Sequence, residues 1–131
     1  MKKSISALIL VAFLFLTSCA SFAQHLHHEA DYQEAWCARK GGVTEYRLSD
    51  AARVDCLTDD YAIEFDFAEK WGESIGQALL YANETGREPG VVLIMENPES
   101  DYKYLLRLLK GIEESPKHWR VWIMEPGDLA E

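Results

Sequence analysis

The seven residues YAIEFDF (Tyr61–Phe67) constrain this chain more than any other stretch. Alternation of this length marks a strand with one face in a core. Ile63, Phe65 and Phe67 point one way, and Ala62, Glu64 and Asp66 point the other. Two carboxylates therefore leave the same side of one strand, two residues apart. Their mutual repulsion is costly, and burial makes it costlier. A fold built round this strand must either leave that side in water or bring positive charge to it.

Patterns on either side supply the other elements. EADYQEAWCARK (Glu29–Lys40) fits a helix with Tyr32, Ala35 and Trp36 on one face, stopped by Gly41 and Gly42. VTEYRL (Val43–Leu48) and RVDCL (Arg53–Leu57) read as strands, separated by the turn SDAA and followed by the turn TDD. After Phe67 a helix is expected from Ala68 to Glu84, closed by Gly86. Trp71, Ile75, Ala78, Leu79 and Ala82 form its apolar stripe. Lys70, Ser74, Gln77 and Tyr81 share another face by their spacing. REPG (Arg87–Gly90) is expected to turn, and VVLIME (Val91–Glu96) to form a strand covered on both sides. Asn97 caps and Pro98 opens a further helix, with Tyr104, Leu105, Leu108, Leu109 and Ile112 as its core face. HWRVWIME (His118–Glu125) is the last strand, and an acidic tail follows Pro126. The order α-β-β-β-α-β-α-β predicts a mixed α/β central sheet with helices on both faces, one domain spanning residues 24–131.

Residues 1–23 read as a signal peptide. Lys2 and Lys3 precede the apolar run Ile5–Leu16, shorter than the about 20 residues that cross a bilayer. Two cleavage readings stand side by side. SFA before Gln24 has the small-x-small form of an ordinary site, whereas LTSC (Leu16–Cys19) resembles a lipobox that would lipidate Cys19. The first gives a periplasmic or secreted protein, and the second a lipoprotein anchored to the outer membrane. The tract His25-Leu26-His27-His28 reads as a short tether, with transition-metal binding as the alternative.

Loss of Lys2 and Lys3 moves the formal net charge from -9 to -11. An acidic surface repels phosphate backbones, so a nucleic-acid partner requires bound cations or a local basic patch. The membrane is reached through a lipid at Cys19. Cys37 and Cys56, an even pair in an exported domain, read as a disulfide contributing about 3 kcal/mol. Trp71, Trp119 and Trp122 read as packing residues rather than base-stacking platforms. The chain carries no structural-zinc spacing, phosphate loop, dinucleotide fingerprint or nucleophile elbow.

The element order and the placing of the acids resemble the PD-(D/E)xK nuclease superfamily, which includes restriction endonucleases and Holliday-junction resolvases. The resemblance covers Glu29–Glu96. Asp55 stands where the family has its second-strand acid. Glu64-Phe65-Asp66 stands where acid-x-lysine is expected, so Asp66 occupies the lysine position. Lys70, one turn into the next helix, is the candidate for a migrated lysine. QALLY matches the Q-xxx-Y signature of some repair nucleases through Gln77 and Tyr81.

The resemblance implies a restriction-endonuclease-like fold and phosphodiester hydrolysis with Mg2+ or Mn2+ on Asp55, Glu64 and Asp66. It gives Lys70 charge stabilisation, and gives Gln77 and Tyr81 positioning of the site. Hard cations take oxygen ligands and neutralise a phosphoryl group, which accounts for the residue types. Two other readings stay open. The fold is kept without catalysis, in a periplasmic or outer-membrane binding or accessory lipoprotein; or the three acids are simply a solvated face.

Overall fold

The computed structural model describes residues 24–130. The stretch read as a signal peptide, with Cys19, lies outside the described residues. Five strands and three helices alternate in the expected order: α1 (Glu29–Arg39), β1 (Val43–Arg47), β2 (Arg53–Leu57), β3 (Tyr61–Phe67), α2 (Trp71–Thr85), β4 (Glu88–Ile94), α3 (Pro98–Ile112) and β5 (Arg120–Met124). The strands form one sheet in the order β1-β2-β3-β4-β5. β1, β2 and β3 pair antiparallel, and β3, β4 and β5 pair parallel. This is a five-stranded mixed α/β sheet.

The alternation seen in β3 sorts the core into layers. Ile63, Phe65 and Phe67 join Val92, Ile94 and Met124 beneath Tyr32, Trp36 and Cys37 of α1. Across the sheet, Val91, Leu93 and Met95 pack with Ala78 of α2 and with Leu105 and Leu108 of α3. Cys37 and Cys56 form a disulfide that pins α1 to β2 across 19 residues of sequence. Gly42 passes so close that a Cβ there would lie 2.6 Å from Cys56 Sγ and 2.8 Å from Cys37 Sγ. The helix ends follow their chemistry. Gly86 closes α2 at φ 69°, and the Asn97 side chain accepts from the Ser100 N–H with Pro98 in the first turn of α3. The tryptophans pack: Trp71 and Trp119 lie against the α2/α3 layer, and Trp122 stacks edge-on to Trp36 and Tyr61.

Several boundaries and faces differ from expectation. Arg87–Gly90 is not a turn, because β4 already begins at Glu88, where the Glu88 N–H donates to Asp60 O. Gly90 serves as a strand residue because Trp122 and Ile63 occupy the space a Cβ would need. The helix after β3 starts with a 3-10 turn at Ala68–Lys70 before α2 proper. Leu109 is not in the core: it is 43 % exposed, since the apolar arc of α3 is wider than the sheet it covers. The residues after Pro126 are no loose tail. They form a 3-10 helix that packs Leu129 on the α1 layer, and Asp128 O accepts from Arg39. The segment before α1 is likewise docked. His25 stacks on Phe67 at 3.4 Å between ring centres, and its two ring nitrogens lie 3.0 Å from Glu69 and 3.1 Å from Glu96.

Candidate functional site

The site lies where β2 and β3 part. Their ladder runs through Cys56↔Ile63 and Leu57↔Ala62. One residue further on, the Asp55 side chain takes the place of its backbone, and Oδ2 accepts the Phe65 N–H at 2.8 Å. Continuing the register sets Asp55 opposite Glu64. The Asp55 carbonyl is held by the Gln33 side-chain amide of α1 at 2.7 Å. Asp55 is thus fixed at both ends, from the sheet and from a helix.

Glu64 and Asp66 are 5 % and 4 % exposed. One oxygen of each, Glu64 Oε2 and Asp66 Oδ2, is buried with no hydrogen-bond partner. Burial pushes the Glu64 carboxyl far above the carboxylate range, helped by the Asp55 charge and by the proton Glu64 shares with Asp55. Asp55 is also raised by burial, against the opposing bonds from the Phe65 N–H and from Glu64. Asp66 is pushed up to about 7 by burial and by Glu29, with the Lys70 ammonium pulling the other way. Lys70 Nζ lies 3.9 Å from Asp66 Oδ1 and is half exposed, at the mouth of the site.

Tyr81, buried on α2, donates to Gln77 Oε1 at 2.9 Å. Its phenol is raised by burial and by the charges of Glu64 and Asp55 beside it. The spacing of Lys70, Gln77 and Tyr81 on one helix face therefore does bring all three to the acids, Gln77 through Tyr81.

Three further residues join the site without a motif to announce them. Glu29, in the first turn of α1, is raised by burial and by Asp55. Gln33 follows one turn later and bridges Asp55 O and Glu45 Oε1, the latter at 2.9 Å. Glu45 lies opposite Asp55 in β1, between the pairs Thr44↔Cys56 and Tyr46↔Val54, with φ 54°. A left-handed acid inside a strand is strained. Its Oε2 reaches Arg53 at 3.3 Å. The i, i+4 spacing of Glu29 and Gln33 beside the apolar Tyr32 and Trp36 is the one sequence signal that could have placed them.

The arrangement can hold protons or a cation. Among the described residues, no three His, Cys, Asp or Glu side chains stand as a formed ligand set. Magnesium keeps several waters and uses one or two carboxylates, so the two unpartnered oxygens meet its demand more nearly than a full protein cage would. No family model matches the chain, and no curated protein or solved structure matches it either.

Proposed function

We propose that this chain is an exported, divalent-cation-dependent nuclease of PD-(D/E)xK-like, restriction-endonuclease-like architecture. The observation that carries the reading is the pair of buried, unpartnered oxygens on Glu64 and Asp66 beside Asp55. Unpaired buried carboxylates are expensive, and a bound cation removes the expense. Asp55, Glu64 and Asp66 would hold Mg2+ or Mn2+, which when bound neutralises phosphoryl charge and eases ionisation of water.

The chain's own groups have separate tasks. Asp55, locked by the Phe65 N–H, presents a carboxylate in a fixed direction. Asp66 either adds a ligand or, left unligated, takes a proton from an attacking water and returns it to solvent through the exposed mouth. Lys70 sits at that mouth, where its ammonium offsets charge growing on phosphate oxygens. Tyr81 and Gln77 brace the Glu64 side of the site.

A second reading is favoured by specific features: Asp66 stands in the lysine position, and the surface repels phosphate at net charge -11 after loss of the leader. Here the fold persists without catalysis, as a periplasmic or outer-membrane binding or accessory lipoprotein. One experiment separates the two. The mature protein is incubated with DNA and with RNA, with Mg2+ or Mn2+, and Mn2+ binding is followed by calorimetry. Cleavage and binding that are both lost in Asp55→Ala and Glu64→Ala support the nuclease. The absence of both supports the accessory protein, and strong Asp55-dependent metal binding counts against it.

A further inference from the structure

We propose that α3 is a membrane-docking surface that seats the protein on an anionic lipid bilayer. Two parallel stripes run along its outer side. Tyr102, Leu106 and Leu109 are 56 %, 50 % and 43 % exposed. Lys103, Arg107 and Lys110 have the same i, i+4, i+7 spacing one position on, so they flank the apolar stripe along its length. Lys103 and Arg107 bracket the Tyr104 ring at 4.8 and 5.9 Å from its centre, which holds both stems along the helix. Lys110 pairs with Glu113 just beyond the helix end. From Tyr102 to Ile112 there are three basic residues and no acid, in a chain where acids outnumber bases 22 to 13. Exposed apolar residues beside a basic row are what a helix lying in a bilayer interface requires.

The partner follows from charge and from where the chain leads. A basic stripe on an otherwise acidic body attracts an anionic surface with that face first. Gln24, His25 and Leu26 line one groove together with Ser100, Lys103 and Tyr104, so the chain leaves the body beside α3. Cys19, the candidate lipidation site, is five residues earlier, at most about 18 Å of extended chain. A lipid there and the α3 stripe would meet the same bilayer, which is the two-signal arrangement that stable anchoring needs. A second copy fits less well, because antiparallel face-to-face pairing of α3 about a two-fold axis would set basic row against basic row.

The test uses the chain produced without a leader from residue 19 onward and carrying Cys19→Ser, so that no acyl chain contributes. Flotation is run with phosphatidylethanolamine–phosphatidylglycerol vesicles and with phosphatidylcholine vesicles. Binding to the anionic vesicles is expected, weaker in 0.5 M than in 0.1 M NaCl. Arg107→Glu/Lys110→Glu should lower it at least about 20-fold, and Leu106→Ser/Leu109→Ser should abolish it, with unchanged circular dichroism and an intact disulfide. Equal binding to both vesicle types, no binding, or binding unaffected in these folded variants overturns the proposal. So does a dimer in solution that Leu106→Ser dissolves, since a second copy would then own the face.

Discussion

The Asp55 carboxylate and the Phe65 amide meet at 2.8 Å, so a side chain closes the sheet where the backbone of β2 leaves it. That bond opens a gap between two antiparallel strands and aims a carboxylate into it. Glu64, the next residue back from Phe65, faces the same gap. Asp55→Ala should therefore do two things at once: remove a charge and leave the Phe65 N–H unpaired. A loss of about 1–3 kcal/mol in urea unfolding at pH 5 is expected. Asp55→Asn, which keeps an acceptor, should recover most of it.

Charge removal at Asp66 should act in the opposite sense. Its folded-state carboxyl lies near 7 against 3.8 as the ordinary value. The proton it keeps on folding contributes stability that is fully present below about pH 3.8 and is lost as pH rises through about 7. Asp66→Asn should thus be more stable than the parent at pH 8 without divalent cations, on the order of 2 kcal/mol, with the gain vanishing near pH 4. Thermal melts across pH read the difference. Millimolar Mn2+ should raise the parent's Tm at pH 8 and leave that of Asp66→Asn nearly unmoved.

Glu45 holds a left-handed backbone inside β1. Glycine adopts that conformation without strain, so Glu45→Gly should gain about 1 kcal/mol despite losing the exposed Arg53 pair. Urea titration at pH 8 measures it. A loss of stability would mean that the Gln33 bond outweighs the strain.

Gly42 has no room for a methyl group against the disulfide. Gly42→Ala should cost about 1–3 kcal/mol in the oxidised protein, and less once Cys37 and Cys56 are both serine. The paired serine variant should itself lose about 3 kcal/mol. Equal penalties for Gly42→Ala in the two backgrounds would disprove the steric cause.

Glu96 accepts from the Leu26 and His27 N–H groups and from the Tyr32 hydroxyl, at 2.9 to 3.1 Å, and pairs with His25. Burial raises its carboxyl, but these donors outweigh burial and leave it below the ordinary range. The stability it adds is present above its ordinary value and is lost as pH falls through the lowered one. Glu96→Gln should free residues 24–28, read as rapid proteolysis before Glu29 while the sheet stays intact.

Much of the molecule was legible in local pattern. The alternation of Tyr61–Phe67, the apolar run at Val91–Ile94, the Asn97-Pro98 cap and Gly86 each impose one conformation on their own neighbours, because sterics and capping bonds act within a few residues. Element order and the two faces of β3 followed from these, whereas the pairing of Cys37 with Cys56 followed from their being an even pair in a chain read as exported. The acids of the site were visible for the same reason: strand periodicity tells which side a residue leaves from.

Long-range packing settled the rest. Whether Glu64 and Asp66 faced water or were buried depended on how α2 lies over β3. Glu29, Gln33 and Glu45 joined the site through the crossing of α1 over the hairpin; the i, i+4 spacing of Glu29 and Gln33 gives them a shared helix face but not what that face meets. The docking of His25 on Phe67 and Glu96 joins residues 42 and 71 positions apart. Burial and charge proximity depend on distances in space, and those exist only once the chain has closed on itself.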